Sequence, residues 1–180
     1  MKRNKALGFL VILILGSLAV YSLSTKDLNI PANQQSQPAG LIPPTLLDHQ
    51  GKKVSSDQLE GKYLGIYFSA SWCGPCRSFT PELIRFRNQH ADDFEVILVG
   101  GDGSAKDQAK YIRNYDMPWL AMINQSDAAK RASQKLEVQY IPYLVVLDPS
   151  GNVVSKDGVK EIKSLKSKAM DSWKSLPKDT

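Results

Sequence analysis

Polar and apolar positions divide the chain into three zones. An uncharged apolar run from Ala6 to about Val20 is followed by a polar stretch, Thr25 to Gly40, rich in Asn and Gln and holding Pro31 and Pro38. From Leu41 onward, short apolar runs alternate with turn residues, as in a packed domain. Leu46-Leu47-Asp48 and Lys52-Lys53-Val54 flank Gln50-Gly51 and predict a strand pair, with Ser55 or Ser56 capping a short helix to Leu59. Tyr63 to Ser69 and Phe94 to Val99 are nearly continuous in apolar residues, the pattern of buried central strands. Between them Phe79, Leu83 and Phe86 recur at helical spacing, and Pro81 is expected to kink that helix. Ser104 opens a helix to Tyr115, Met117-Pro118-Trp119-Leu120 breaks the pattern, and Ser126 opens a further helix to Leu136. Leu144 to Leu147 predicts a strand, Asp148-Pro149-Ser150-Gly151 a type I turn, and Asn152 to Ser155 an antiparallel return. A lysine-rich helix from Val159 to Leu176, with Ile162, Leu165, Ala169 and Trp173 on one face, closes the chain. Its lysines read as a solvated surface. The order predicts an α/β domain with a central mixed β-sheet flanked by helices on both faces.

The first zone sets an expected address. Lys2, Arg3 and Lys5 precede the apolar run, giving the basic and hydrophobic regions of an export signal. Ser22 and Ser24 offer a cleavage site after Ser24, while the run from Ala6 to Thr25 is also long enough to remain as an anchor. No cysteine follows it, which excludes a lipoprotein. Residues 1–24 are therefore expected to be a signal peptide or N-terminal membrane anchor, 25–40 a polar linker, and 41–180 the folded domain. With the basic residues kept inside, the domain lies outside the membrane, in a bacterial periplasm or cell envelope. The net charge is +5, but without the three leader cations 20 Lys and Arg face 18 acidic residues. That balance, with no basic-aromatic patch, gives no basis for nucleic-acid binding. A monomer is expected.

Chemistry concentrates in Tyr67-Phe68-Ser69-Ala70-Ser71-Trp72-Cys73-Gly74-Pro75-Cys76-Arg77, which holds both cysteines of the chain. An apolar strand leads into this stretch and a helix leads out, so Cys73 sits where the helix begins. Backbone N–H groups and the helix dipole favour a thiolate there, making Cys73 the attacking residue and Cys76 the resolving one. Gly74 permits the tight turn and Pro75 suits the first helical turn. A zinc site would need two further ligands, and only the isolated His49 and His90 are available. A structural disulfide so short in sequence braces almost nothing. Redox chemistry is the favoured use, with no metal or organic cofactor. Further along, Tyr140-Ile141-Pro142-Tyr143 opens a hydrophobic strand with a proline. Either a trans or a cis Ile141–Pro142 bond accommodates it.

Trp72-Cys73-Gly74-Pro75-Cys76, the helix proline Pro81 and the later Ile141-Pro142 together resemble the thioredoxin family. Phe68-Ser69-Ala70-Ser71-Trp72-Cys73, Cys76-Arg77-Ser78-Phe79-Thr80-Pro81 and Met117-Pro118-Trp119-Leu120-Ala121 most resemble its tryparedoxin and nucleoredoxin branch. The resemblance covers about Leu41 to Trp173. It implies a thioredoxin fold, a nucleophilic Cys73, a resolving Cys76 and a cis Pro142 in a substrate groove flanked by Trp72. Three departures stand out. The dipeptide between the cysteines is Gly-Pro where that branch usually has Pro-Pro, and Tyr67 stands where thioredoxins commonly bury an aspartate. The branch is also mostly cytosolic, whereas this chain carries an export-type leader.

The expected function is a thiol–disulfide oxidoreductase of the cell envelope, a reductase of protein disulfides working through Cys73 and Cys76. Trp72, Gly74, Pro75, Ile141 and Pro142 are expected to line its groove. Its partners would be disulfide-bearing proteins and a membrane or soluble thiol donor, with membrane contact through an uncleaved leader. A disulfide oxidase or isomerase, or a thiol reductant for cytochrome c maturation, uses the same chemistry. A non-catalytic thioredoxin-like binding module is the alternative of another class. A thiol peroxidase fits poorly, because Phe68 to Trp72 replaces the Pro-x-x-x-Thr-x-x-Cys context of a peroxidatic cysteine.

Overall fold

The computed structural model describes residues 40–176, so the expected leader, and the linker up to residue 39, lie outside the described residues. Seven strands among these residues form one sheet in the order β2-β1-β5-β4-β3-β6-β7. They are β1 Thr45–Leu47, β2 Lys53–Ser55, β3 Tyr63–Ser69, β4 Phe94–Gly100, β5 Leu120–Ala121, β6 Tyr143–Leu147 and β7 Val153–Ser155. β3 runs parallel to β4 and antiparallel to β6, so the sheet is mixed as the sequence predicts. A 3₁₀ turn, Ser56–Leu59, follows β2, and Ser55 Oγ caps it by accepting the Asp57 N–H. The helices are α1 Gly74–Gln89, α2 Ala105–Asn114, α3 Asp127–Lys135, α4 Gly158–Leu165 and α5 Lys168–Ser175. Ser104 and Ser126 cap α2 and α3 by accepting the N–H groups of Asp107 and Ala129.

Alternate residues of the central strands feed two cores, because successive side chains leave opposite faces. Tyr63 and Tyr67 of β3 pack with Phe79, Leu83, Phe86 and Trp173, on the face covered by α1, α2, α4 and α5. Leu64, Ile66 and Phe68 pack with Leu46, Ala129, Ala132 and Leu136, on the face covered by α3. Helices therefore cover both faces. Among the described residues no helix is long and apolar enough to cross a membrane.

Two elements differ from the sequence expectation. β5 is only two residues long, too short to leave a period of two, yet Ala121 pairs with both Leu47 and Leu98. It joins the N-terminal hairpin to the sheet. The expected single helix from Val159 to Leu176 is instead two, broken at Lys166, whose φ is +54°. The bend turns α5 so that Trp173 packs edge-on against Phe86 and donates Nε1–H to Glu161 Oε2 at 2.7 Å. Leu165, assigned to the buried stripe, is consequently 41% exposed. Helical periodicity does not register a one-residue bend. Pro81 falls inside α1, which continues through it to Gln89.

Trp173→Ala should cost about 3–5 kcal/mol in urea unfolding, as for a large aromatic removed from a packed core. Leu165→Ala should stay within about 0.5 kcal/mol, since it is a surface change. Comparable costs for the two would mean that one continuous helix is the better description.

Candidate active site

The site forms where β3 ends and α1 begins. β3 is buried along its whole length, and its pairing with β4 and β6 on either side fixes where the chain emerges. Cys73 is the N-cap of α1, with extended backbone, and Pro75 lies in the first helical turn. The Cys76 N–H donates to Cys73 Sγ at 3.2 Å, so a free donor of the helix N-terminus points at this sulfur. The two cysteines form a disulfide with Cα atoms 5.2 Å apart. Cys73 keeps 6% of its surface exposed while Cys76 has none, so a partner can reach only the first. Gly74 lies outside the left-handed region, and a Cβ added there would meet nothing within 4 Å. The turn itself therefore does not demand glycine, contrary to the sequence expectation.

The other predicted groove residues converge on these sulfurs. The Ile141–Pro142 peptide bond is cis. The Ile141 side chain packs on Ala70, Cys73 and Cys76, and its carbonyl oxygen lies 3.8 Å from Cys73 Sγ. Trp72 is 65% exposed, and its indole is tethered by an Nε1–H bond to the Gly101 carbonyl at 3.1 Å. Pro75 is exposed and Gly74 half-buried beside it. Among the described residues no group of three or more His, Cys, Asp or Glu is placed to hold a metal ion.

Sequence analysis missed a second wall. The loop from Gly100 to Gly103 is bonded to the cysteine turn at three points. The Gly101 N–H donates to the Ser69 carbonyl at 2.8 Å, and Gly101 in turn accepts from Trp72. Asp102, 2% exposed, accepts from Ser71 N–H at 3.0 Å and Ser71 Oγ at 2.6 Å through Oδ1. An acidic residue just past a central parallel strand was the available signal, since ligand sites gather at the carboxyl ends of such strands.

Beneath Cys76 lies a buried set of hydroxyls. Thr80 Oγ1 donates to the Cys76 carbonyl at 2.9 Å, and Tyr67 Oη approaches the same carbonyl at 3.3 Å. Thr80 Oγ1 also pairs with Tyr67 Oη at 3.0 Å and with Tyr111 Oη at 2.8 Å, and Tyr111 reaches Ser69 Oγ at 2.9 Å. Burial pushes the Tyr67 phenol well above its ordinary range, so at neutral pH it stays protonated and holds the turn by hydrogen bonds. Asp102→Ala would leave the half-buried Ser71 donors without their acceptor, and should destabilise the oxidised protein by about 1–3 kcal/mol in chemical denaturation. Full stability in that variant would mean that Asp102 does not anchor the loop.

Comparison with known proteins agrees with this geometry. A family model described as Thioredoxin-like matches residues 61–153. A probable nucleoredoxin 1 of Arabidopsis thaliana is 39% identical over 122 residues, covering 66% of this chain and 21% of that protein. The chain thus spans about a fifth of the length of that relative. The tryparedoxin of Trypanosoma brucei brucei is 40% identical over 106 residues, 57% of this chain and 72% of its own. The solved tryparedoxin of Trypanosoma brucei superposes with a TM-score of 0.66 at 33% identity, over 75% of this chain and 96% of that one. With a CxxC pair closed at the head of α1, the chain belongs to the thioredoxin-like family of thiol–disulfide oxidoreductases.

Proposed function

We propose that this protein reduces disulfides in exported proteins, with Cys73 as nucleophile and Cys76 as resolving thiol. The observation that carries the proposal is the Cys76 N–H aimed at the sulfur of the more exposed cysteine. In the reduced protein that donor and the helix dipole favour the Cys73 anion over the thiol. The Cys73 thiolate attacks one sulfur of a substrate disulfide, and the other sulfur leaves as a thiolate. Cys76, once deprotonated, attacks Cys73 Sγ and expels the remaining substrate sulfur. Two electrons pass to the substrate, and the pair ends as the disulfide seen here. A membrane or soluble dithiol must then restore the reduced pair.

Ile141, Pro142, Trp72, Gly74 and Pro75 form the surface on which the substrate lies. Trp72 is the main apolar contact, because an exposed indole held by one hydrogen bond gives a flat face at little entropic cost. The setting in a bacterial cell envelope rests on the basic and apolar leader, Met1 to Ser24.

Cys76→Ser should accumulate a stoichiometric mixed disulfide through Cys73 when mixed with an oxidised protein such as insulin. Cys73→Ser should form none and should abolish turnover. Trp72→Ala should lower kcat/KM by about five- to tenfold through lost contact. Failure of the Cys76→Ser protein to trap any disulfide-bearing protein would favour a binding module instead.

A further inference from the structure

A cleft of about 550 Å³ opens beside the cis proline, with Pro142 in its lining. Its apolar lining includes Pro142, Leu144 and Val159. Tyr140, 63% exposed, and Tyr143 stand together at its edge with ring centroids 5.4 Å apart. Gly158, at the start of α4, lies tight against Leu144, since a Cβ there would lie 2.9 Å from the Leu144 carbonyl oxygen. Only glycine lets α4 start so close to β6.

The charges around this cleft are one-sided. Lys156, Lys160 and Lys163 line it against a single acidic residue, Asp157. Glu161 lies between two of these lysines in sequence but is committed elsewhere, accepting from Ser155 Oγ at 2.6 Å and from Trp173 Nε1 at 2.7 Å. Lys160 makes no ion pair among the described residues, and Lys163 Nζ sits 5.7 Å from the centre of the Phe79 ring. Lys156 pairs with Glu137 at 2.8 Å, but both side chains are exposed, so a competing anion can displace that contact. The solvated lysine face expected of the last helix is, at Lys160 and Lys163, part of the wall of a cleft that shares Pro142 with the groove beside the cysteines.

The geometry points to an acidic protein substrate: a disulfide whose flanking chain lays an apolar residue on Pro142 and Tyr140 and Asp or Glu side chains against Lys156, Lys160 and Lys163. This inference rests on the reductase function above and specifies its substrate class. Apolar floor and cationic wall together favour a polypeptide carrying both features over a simple anion. Complementary charge at a rim acts mainly on encounter and selection between partners.

The test uses the full chain, purified in a neutral detergent, and three peptides with the same disulfide loop flanked by Glu, Gln or Lys. The expected order of kcat/KM is Glu, then Gln, then Lys, with about tenfold between the extremes at low ionic strength. The spread should shrink as salt is raised, because these contacts are solvent-facing. Lys160→Glu/Lys163→Glu should reverse the order, and a ratio within one variant does not depend on how much of it folds. Equal rates for the three peptides, or an order unchanged in the double variant, would overturn the inference. If neutral hydroxyethyl disulfide is still reduced in that case, the reductase function stands without it. Failure on every disulfide would remove both.

Discussion

A single backbone donor, the Cys76 N–H directed at Cys73 Sγ from 3.2 Å, is the constraint around which the molecule is arranged. It exists only if β3 delivers Cys73 to the point where α1 starts, with extended backbone at one residue and helical backbone at the next. The sheet meets that requirement by pairing β3 over its full length with β4 and over most of it with β6. α1 is held in turn by Phe79, Leu83 and Phe86, which pack on the same face as Tyr67. The sulfur chemistry is local, but its geometry is set by the whole central sheet.

Around that contact the fold distributes two kinds of polar support. On the exposed side, Asp102 and Gly101 tie the turn to the end of β4 and hold the Trp72 indole in place. On the buried side, Tyr67, Thr80, Tyr111 and Ser69 form a connected set of hydroxyls ending at the Cys76 carbonyl. Each group there is satisfied by another, so the set adds rigidity without a buried charge. Tyr67 stands where thioredoxins commonly place an aspartate, and a phenol that stays protonated does a different job from a carboxylate.

What the sequence displayed was whatever repeats or stands out locally. β3 shows as a long apolar run, α1 as a helical period, and α2 and α3 through their serine caps, while the Trp72 to Cys76 motif marks the head of α1. Pro142 was visible as a residue, while the cis geometry needed the family resemblance. β5 escaped because two residues carry no period, and Lys166 because a bend leaves no mark in an amphipathic stripe. Asp102 escaped because its role depends on Ser71, 31 residues earlier in the chain. The lysine cleft likewise depends on β6, β7 and α4 meeting in space, so the charge pattern of α4 alone looked like ordinary surface.

The reduction potential of the Cys73–Cys76 pair tests the proposed direction of electron flow most directly. It is obtained by equilibrating the protein with dithiothreitol or glutathione buffers and counting free thiols. A reductase predicts a value near that of thioredoxin, about −270 mV. A value near about −120 mV, that of a strong disulfide donor, would contradict it and assign the protein to disulfide formation.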